Sequence, residues 1–221
     1  MISNYIDEQM KQMSLPQDLF QKLRDDILQE NIRDGEKLSE QFICNKYNVS
    51  RTPVREALQK LELDGLIEII PNRGAFVKGF TKQDLADIYV MRAEYESIAL
   101  RWAIERMTPK QLEQLREVSE FMEFYTMKGD AGKIFQLNSY FHQLIYAMSG
   151  NRVLQHVLAS YEVYTEKVRK KHAYPQEHLD IIAKEHQAIF DAINAKDKDA
   201  ASEAAYNHVK NAAIRAGLWS R

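Results

Sequence analysis

Three histidines and one asparagine in the second half of the chain have the residue types and spacing of a metal site. Asn138 and His142 are four residues apart, so their side chains would lie one above the other on one helix face. His186 and His208 occur in two later segments with helical periodicity. Three imidazole nitrogens and one amide oxygen from three helices could bind a divalent metal ion inside a bundle. Histidines on apolar helix faces more often make hydrogen bonds within a core, and that interpretation stays open.

A metal held by three histidines could also activate water for hydrolysis, because it would keep an open coordination position. The sequence contains no His-Glu-x-x-His motif and no nucleophile motif. Glu185 directly precedes His186, and we expect it to face another side of the helix, with no tie to the histidines. We therefore predict that the protein is not an enzyme. A bundle in which the histidines only stabilise the core is the remaining alternative.

Two arginines at the start of a predicted helix, in the stretch "VSRTPVREAL" at residues 49–58, could contact DNA. One helix face would hold Arg51, Thr52, Arg55 and Gln59, and another would hold Val54, Ala57, Leu58 and Leu61. Guanidinium groups bind phosphates and the edges of guanine bases. A solvated amphipathic helix has the same pattern, so the flanking elements decide between the two interpretations.

The flanking elements predict a winged helix-turn-helix. We expect Ser50 to cap the helix with its side chain, Pro53 to lie in the first turn, and Gly65 to end the helix in a left-handed conformation. A second short helix is predicted over residues 39–47, joined to the first by a tight turn. Apolar runs on either side of "PNR", between residues 66 and 80, predict the hairpin that forms the wing.

The remaining periodicity predicts a mainly α protein with two domains. A winged-helix domain over residues 1–79 would begin with a flexible arm over 1–15, followed by a helix over 16–30. Residues 80–221 would form an all-α antiparallel bundle. Its six predicted helices cover residues 82–107, 109–128, 131–149, 151–172, 177–195 and 197–217.

Composition restricts the class of protein further. The formal net charge is −2, and residues 1–80 hold 11 basic and 13 acidic side chains, so DNA binding would depend on a small local patch, doubled by dimerisation. The single cysteine, Cys44, excludes a disulfide framework and favours the reducing cytoplasm. No apolar run approaches 18 residues, so we expect no membrane-spanning segment.

The motif "SRTPVREAL", followed by "GLI" and "RGAFV", resembles the winged-helix domain of the GntR family of bacterial transcription regulators over residues 16–78. The second half is similar to the FCD effector domain of the FadR-like branch. The segments that carry this similarity are "VMRAEYESIALRWAI", "LNSYFHQLIYAMSGN" and "EHQAIFDAI". Six helices in this domain resemble the VanR-like subgroup.

The resemblance implies roles for particular residues. The DNA contacts of the family correspond to Arg51, Thr52, Arg55, Arg73 and Gly74, with Gln41 at a position that is commonly basic. The metal ligands of the family correspond to Asn138, His142, His186 and His208, with Asp common at the first position. The implied cofactor is a divalent metal ion, zinc or nickel. Arg92 matches a position near the effector pocket, although a helical pair with Glu96 would explain it equally well.

The resemblance further implies a homodimeric repressor that binds double-stranded operator DNA. Its operator binding would respond to a small anionic effector, expected to be a carboxylic acid.

Overall fold

The computed structural model describes residues 14–28, 31–78, 81–170 and 175–219. The chain divides into two compact units, Met1–Phe80 and Thr81–Arg221. The described residues form nine helices and one small sheet, which confirms the predicted mainly α class. No helix among them is both long and apolar enough to cross a lipid bilayer.

The described residues of the first unit form three helices and a three-stranded antiparallel sheet. The helices are α1 (Leu15–Leu28), α2 (Glu40–Tyr47) and α3 (Arg51–Leu63), and the strands are β1 (Lys37–Leu38), β2 (Ile67–Ile70) and β3 (Gly74–Val77). The strand order is β1-β3-β2, and Ile70 pairs with Gly74 beside the turn of the hairpin. The predicted helix pair followed by a hairpin is therefore confirmed. The extra strand β1 was not predicted, since two residues carry no periodic signal.

The predicted helix over 16–30 and the predicted arm over 1–15 overlap the limits of the described residues. Helix α1 starts at Leu15, and residues 29 and 30 lie outside the described part. All of the predicted arm except residues 14 and 15 also lies outside it. The predicted apolar stripe of α1 is buried, as Leu19, Leu23, Ile27 and Leu28 are all in the core.

One predicted helix cap is wrong. Ser50 occupies the N-cap position of α3, but its side chain makes no capping hydrogen bond. An N-cap oxygen normally accepts from the second or third residue of the helix, and the third residue here is Pro53, which has no N–H. Gly65 does adopt the predicted left-handed conformation, with φ 71°.

Contacts between α1 and the other helices hold α3 in place. The apolar face of α3 is buried, and α1 packs against it. The Asp26 carboxylate of α1 accepts hydrogen bonds from Lys46 Nζ (2.9 Å) and Tyr47 Oη (2.8 Å) of α2. These contacts leave Arg51 and Arg55 on the exposed side of a helix whose other side is fixed in the core.

Six helices occur in the part of the second unit that the structure describes. They are α4 (Lys82–Arg106), α5 (Pro109–Met127), α6 (Ala131–Met148), α7 (Arg152–Lys170), α8 (Gln176–Asn194) and α9 (Lys198–Arg215). The predicted boundaries in this unit agree within two residues, except that the predicted end of the fourth helix, at residue 172, lies outside the described part. The predicted cap Thr81 accepts from the backbone N–H of Asp84, whose carboxylate accepts from the Thr81 N–H in return.

The first and last helices of this unit form its main packing pair. Tyr89 and Ala93 of α4 pack against Val209 and Ala213 of α9 in one buried cluster. Helix α4 also contacts α6 and α7, and α8 contacts α5 and α9. This arrangement brings the inner faces of α4, α6, α8 and α9 together, and each of these faces carries buried polar side chains.

Candidate metal centre and nucleic-acid interface

Three of the four predicted metal ligands meet in the interior of the bundle. His142 on α6, His186 on α8 and His208 on α9 are each at most 4% exposed. One ring nitrogen from each lies within 4.8 Å of the other two. We call these residues the histidine cluster. Nε2 of His142 lies 3.3 Å from Nε2 of His208.

The Nδ1 atom of each ring in the cluster is held by an acceptor outside it. The pairs are His142 with Glu96 Oε2 (3.0 Å), His186 with the Ile182 carbonyl (2.7 Å) and His208 with Glu185 Oε2 (2.9 Å). A carbonyl or an ionised carboxylate can only accept, so Nδ1 carries the proton and Nε2 of a neutral ring has a free lone pair. Metal-binding histidines in proteins typically have this arrangement.

The inward-facing nitrogens suit a cation. With both rings neutral and protonated on Nδ1, the Nε2 lone pairs of His142 and His208 face each other at 3.3 Å, a separation that a proton or a metal ion between them would stabilise. The Nε2 atom of His186 is buried and has no hydrogen-bond partner in the described part of the chain. Such a buried, unpartnered atom costs about 1–3 kcal/mol. A divalent metal ion would satisfy both conditions, so this donor set fits the implied cofactor.

The protonation of the cluster also suits a metal ion. Burial, followed by the charges of His208 and His142, lowers the pKa of His186 well below its ordinary value. Burial also lowers the pKa of His208, against the opposing effect of Glu185. Imidazoles must be neutral to bind a metal, and these shifts keep the two rings neutral near pH 7.

Glu96 connects His142 to Arg92. Its carboxylate accepts from Nδ1 of His142, from Nε of Arg92 and from Oη of Tyr146 (2.7 Å). Burial would raise the pKa of Glu96, but Arg92 and His142 hold it far below the usual range. Arg92 is 3% exposed and also donates to Thr165 Oγ1 at 3.2 Å. The helical pair from Arg92 to Glu96 is therefore present, and it forms part of the support for His142.

The prediction that Glu185 has no tie to the histidines is wrong. Glu185 accepts from Nδ1 of His208, from Asn211 Nδ2 (2.9 Å) and from two nitrogens of Arg215 (2.8 and 2.9 Å). It does lie on a different face of α8 from His186, but α9 packs against that face and brings His208 within reach. Burial opposes ionisation, yet the hydrogen bonds from His208 and Arg215 lower the pKa of Glu185 to about 2.

The fourth predicted ligand, Asn138, lies next to the cluster. It is buried one turn before His142 on α6 and lines a cavity of about 30 Å³ together with Arg92, His208 and Arg215. A cavity of this size holds one or two water molecules and is too small for an organic acid. A larger groove, of about 500 Å³, lies between α5 and α8 and has His186 in its lining.

Several polar residues of the site were missed by sequence reasoning. Glu96 and Glu185 stand close in sequence to predicted site residues, so they had a detectable signal. Tyr146 is four residues after His142 on α6, so it too had a local signal, but its bond to Glu96 is a contact between helices. The contacts of Thr165 and Arg215 also join different helices, which local spacing cannot reveal. Glu162 on α7 was missed for the same reason. It is 6% exposed, and its Oε1 atom has no hydrogen-bond partner in the described residues.

We expect Glu185→Gln to weaken metal binding by about 10- to 100-fold, since residues that orient a ligand histidine typically contribute that much. The amide keeps the size of the side chain but is a weaker acceptor for the Nδ1–H of His208. The measurement is competition against a chromogenic chelator. Glu105→Gln is the matched control, because Glu105 is an exposed acid on α4 that pairs with Lys198. Equal metal affinity in the two variants would contradict the orienting role of Glu185.

The predicted DNA contacts of the first unit are all exposed. Arg51, Thr52 and Arg55 lie on one side of α3, Gln41 is on α2, and Arg73 and Gly74 are at the tip of the wing. The Gln41 side chain accepts from Arg51 Nη2 at 3.3 Å, and Glu40 Oε1 accepts from Arg55 Nε at 2.9 Å. Both contacts extend the arginines along the surface of α2. The acid Glu40 was not recognised from the sequence.

A groove of about 520 Å³ lies between the middle of α3 and the wing, and we call it the wing groove. Lys37, Arg55 and Arg73 bring positive charge to its lining, and Glu40 is the acid there. Gly74 has φ 105°, a conformation that side chains strongly disfavour. The groove combines a positive lining with the exposed side chain of Arg55 on α3, as expected of a nucleic-acid interface.

A winged helix followed by a helical bundle with buried imidazoles defines a two-domain transcription regulator. The chain matches the family described as "Bacterial regulatory proteins, gntR family" over residues 15–77 and the FCD domain family over residues 87–211. It belongs to the GntR family and carries an FCD domain. It is therefore a DNA-binding transcription regulator, and the hydrolase alternative is excluded.

Relatives agree with this assignment along most of the chain. The HTH-type transcriptional repressor RspR of Escherichia coli K12 is 29% identical over 197 residues, covering 88% of this chain and 85% of the relative. The regulator YdhC of Bacillus subtilis is 28% identical over 193 residues, covering 86% of each chain. The solved structure of E. coli McbR/YncC has the same fold, with a TM-score of 0.77 at 24% identity. The similarity covers 93% of this chain and 98% of that one.

Proposed function

We propose that the protein is a homodimeric repressor whose operator affinity is controlled by a small carboxylic acid bound beside a divalent metal ion. Residues 1–79 bind DNA, and residues 80–221 bind the ligand and form the dimer. The observation that carries this proposal is the histidine cluster, with a buried, unpartnered Nε2 on His186 and two Nε2 atoms 3.3 Å apart. A cluster that only stabilised the core would have its inward-facing nitrogens satisfied by hydrogen bonds.

The proposed metal ligands are His142, His186 and His208, with Asn138 as the fourth. Imidazole donors suit zinc and nickel. When bound, the metal supplies a local positive charge, and an anion can complete its coordination. The amide of Asn138 is neutral, so it compensates less of that charge than a carboxylate would. This difference favours an effector that brings its own carboxylate.

Arg92 is the proposed second contact of the effector carboxylate. It lines the small cavity with Asn138 and His208, and its guanidinium already donates to Glu96 and Thr165. Burial would lower the pKa of Arg92, but Glu96 raises it, so the side chain stays charged. Since the cavity is too small for an acid, binding requires side chains around Arg92 to move. Binding of the acid is therefore coupled to the packing of α4, the helix that carries Arg92.

At the DNA, the proposed dimer places two α3 helices in successive major grooves. Arg51 and Arg55 contact guanine edges or phosphates, and Thr52 and Gln41 contribute neutral hydrogen bonds. Arg73 and Gly74 at the wing tip approach the backbone or the minor groove. A ligand that binds one arrangement of the dimer more tightly shifts the equilibrium towards that arrangement. Operator affinity then changes by the coupling free energy between the ligand site and the DNA site.

A carboxylate at the fourth ligand position is expected to strengthen metal binding. Asn138→Asp should tighten it by about tenfold, or about 1.4 kcal/mol, because an anionic oxygen replaces a neutral one next to a divalent cation. The dissociation constant is measured by chelator competition, with the exposed Asn194→Asp as the matched control. If Asn138→Asp bound the metal no more tightly than the control, Asn138 would not be a ligand.

The proposal is tested by a thermal-shift screen of small carboxylates and sugar acids. We expect at least one acid to raise the melting temperature of the metal-loaded protein and to have little effect after chelation. Neutral analogues of that acid should have little effect on either form. If no acid stabilised the loaded protein, or if the shifts were equal with and without metal, the proposed effector class would be wrong.

A further inference from the structure

Lys37 lines the wing groove, and it is not among the predicted DNA contacts. It lies on β1, the strand that joins the hairpin from the side opposite β2, and it pairs with Phe76 of β3. Its ammonium group lies 5.9 Å from the centre of the Phe76 ring, and the guanidinium carbon of Arg73 lies at the same distance from that ring. Two cationic side chains therefore flank one aromatic ring of the wing.

The absence of a side chain at Gly74 leaves room for the side chain of Lys37. A Cβ atom at position 74 would lie 3.1 Å from Cε and 3.8 Å from Nζ of Lys37. The stem thus passes over the backbone of the wing, in the space that any other residue at 74 would occupy. Lys37 therefore reaches the wing tip from a neighbouring strand.

The charges of the groove are suited to a phosphate. Its lining holds the cations Lys37, Arg55 and Arg73 and the acid Glu40, whereas residues 1–80 as a whole carry a formal charge of −2. Glu40 is bonded to Arg55. No carboxylate among the described residues pairs with Lys37 or Arg73, so these two charges face solvent. A lysine ammonium is a point charge on a flexible stem and suits a phosphate oxygen better than a base edge.

We propose that Lys37 binds a backbone phosphate of the operator in the wing groove, beside the bases contacted by α3. This inference rests on the proposed placement of α3 in the major groove. It adds a contact that positions the protein on the duplex and carries no sequence preference of its own.

The test is the salt dependence of DNA binding by the full-length protein. Affinities of the wild type and of Lys37→Gln are measured by fluorescence anisotropy between 50 and 200 mM salt, on a selected operator and on a random duplex. Each Lys37 that reaches a phosphate should contribute about 0.9 to the slope of log K against log salt. For each such contact, the ratio of wild-type to variant affinity should fall about 3.5-fold across that range.

Two further variants separate charge from structure. Lys37→Arg keeps the charge and should keep the slope of the wild type. Lys22→Gln removes a charge from α1, where Lys22 pairs with Asp18 outside the groove, and should leave the slope unchanged. A Lys37→Gln slope equal to that of the wild type would overturn the inference. So would a loss confined to the operator, because a phosphate contact should weaken both duplexes alike. If the wild type selected no operator, the proposed function itself would fail.

Discussion

Replacing both Arg51 and Arg55 by alanine is expected to abolish sequence-specific operator binding and to leave the first unit folded. Each arginine that pairs with a guanine contributes about 1–3 kcal/mol of base discrimination. The loss of both should therefore reduce operator affinity to the level of random DNA. Both side chains are exposed on α3, and the core beneath them does not depend on them. Operator affinity is compared with random-duplex affinity after selection of the operator by the wild type.

Lys60→Ala is the control for this prediction. Lys60 is exposed on the same helix, and helical geometry places it about half a turn around the axis from Arg51. It should keep most of the specificity, although it loses one positive charge where the double variant loses two. Circular dichroism checks that every variant is folded. If specific binding survived the removal of both arginines, the proposed DNA contacts of α3 would be wrong.

Replacing His186 by alanine is expected to abolish tight metal binding. The wild type saturated with metal at 100 times its dissociation constant should be about 2.7 kcal/mol more stable than the chelated protein. Since His186 supplies one of three imidazoles, its loss should remove most of that difference. The measurement is the change in melting temperature on chelation, taken within each variant, so a cavity left by the shortened side chain does not enter the comparison.

His156→Ala is the matched control for the metal prediction, because His156 is an exposed histidine on α7. This variant should keep the full chelation effect. His142→Ala and His208→Ala should behave like His186→Ala. A chelation effect of wild-type size in His186→Ala would contradict the metal site, and so would a wild type that bound no divalent metal.

The helices were largely predictable because their signal is local. Apolar spacing and capping residues such as Thr81 defined six helices in the second unit within two residues of their observed ends. The paired arginines and the hairpin residues likewise fall within one stretch of sequence. Local rules failed at Ser50, where the missing N–H of Pro53 removes the expected capping bond. They also failed at β1, whose pairing depends on a strand almost forty residues later.

The site itself was only partly predictable, for a physical reason. The ring nitrogens of the histidine cluster come from three helices, and their spacing along the chain suggested a shared interior. The Ile182 carbonyl on the same helix orients His186, but the carboxylates that orient His142 and His208 reach them only through packing between helices. Glu185 faces away from His186 on its own helix, yet it holds His208 because α9 packs against that face. Glu96 belongs to a local pair with Arg92, but its contacts with His142 and Tyr146 needed the fold.

The central claim is that an acid bound in the bundle changes the affinity for operator DNA. It is tested most directly by fluorescence anisotropy of a labelled operator with metal-loaded protein, without ligand and with a saturating concentration of the acid that gives the largest thermal shift. We predict that the acid changes the dissociation constant at least about tenfold, equivalent to about 1.4 kcal/mol of coupling between the two sites. We expect chelation to remove the effect. A dissociation constant that stayed the same at saturation would contradict the account.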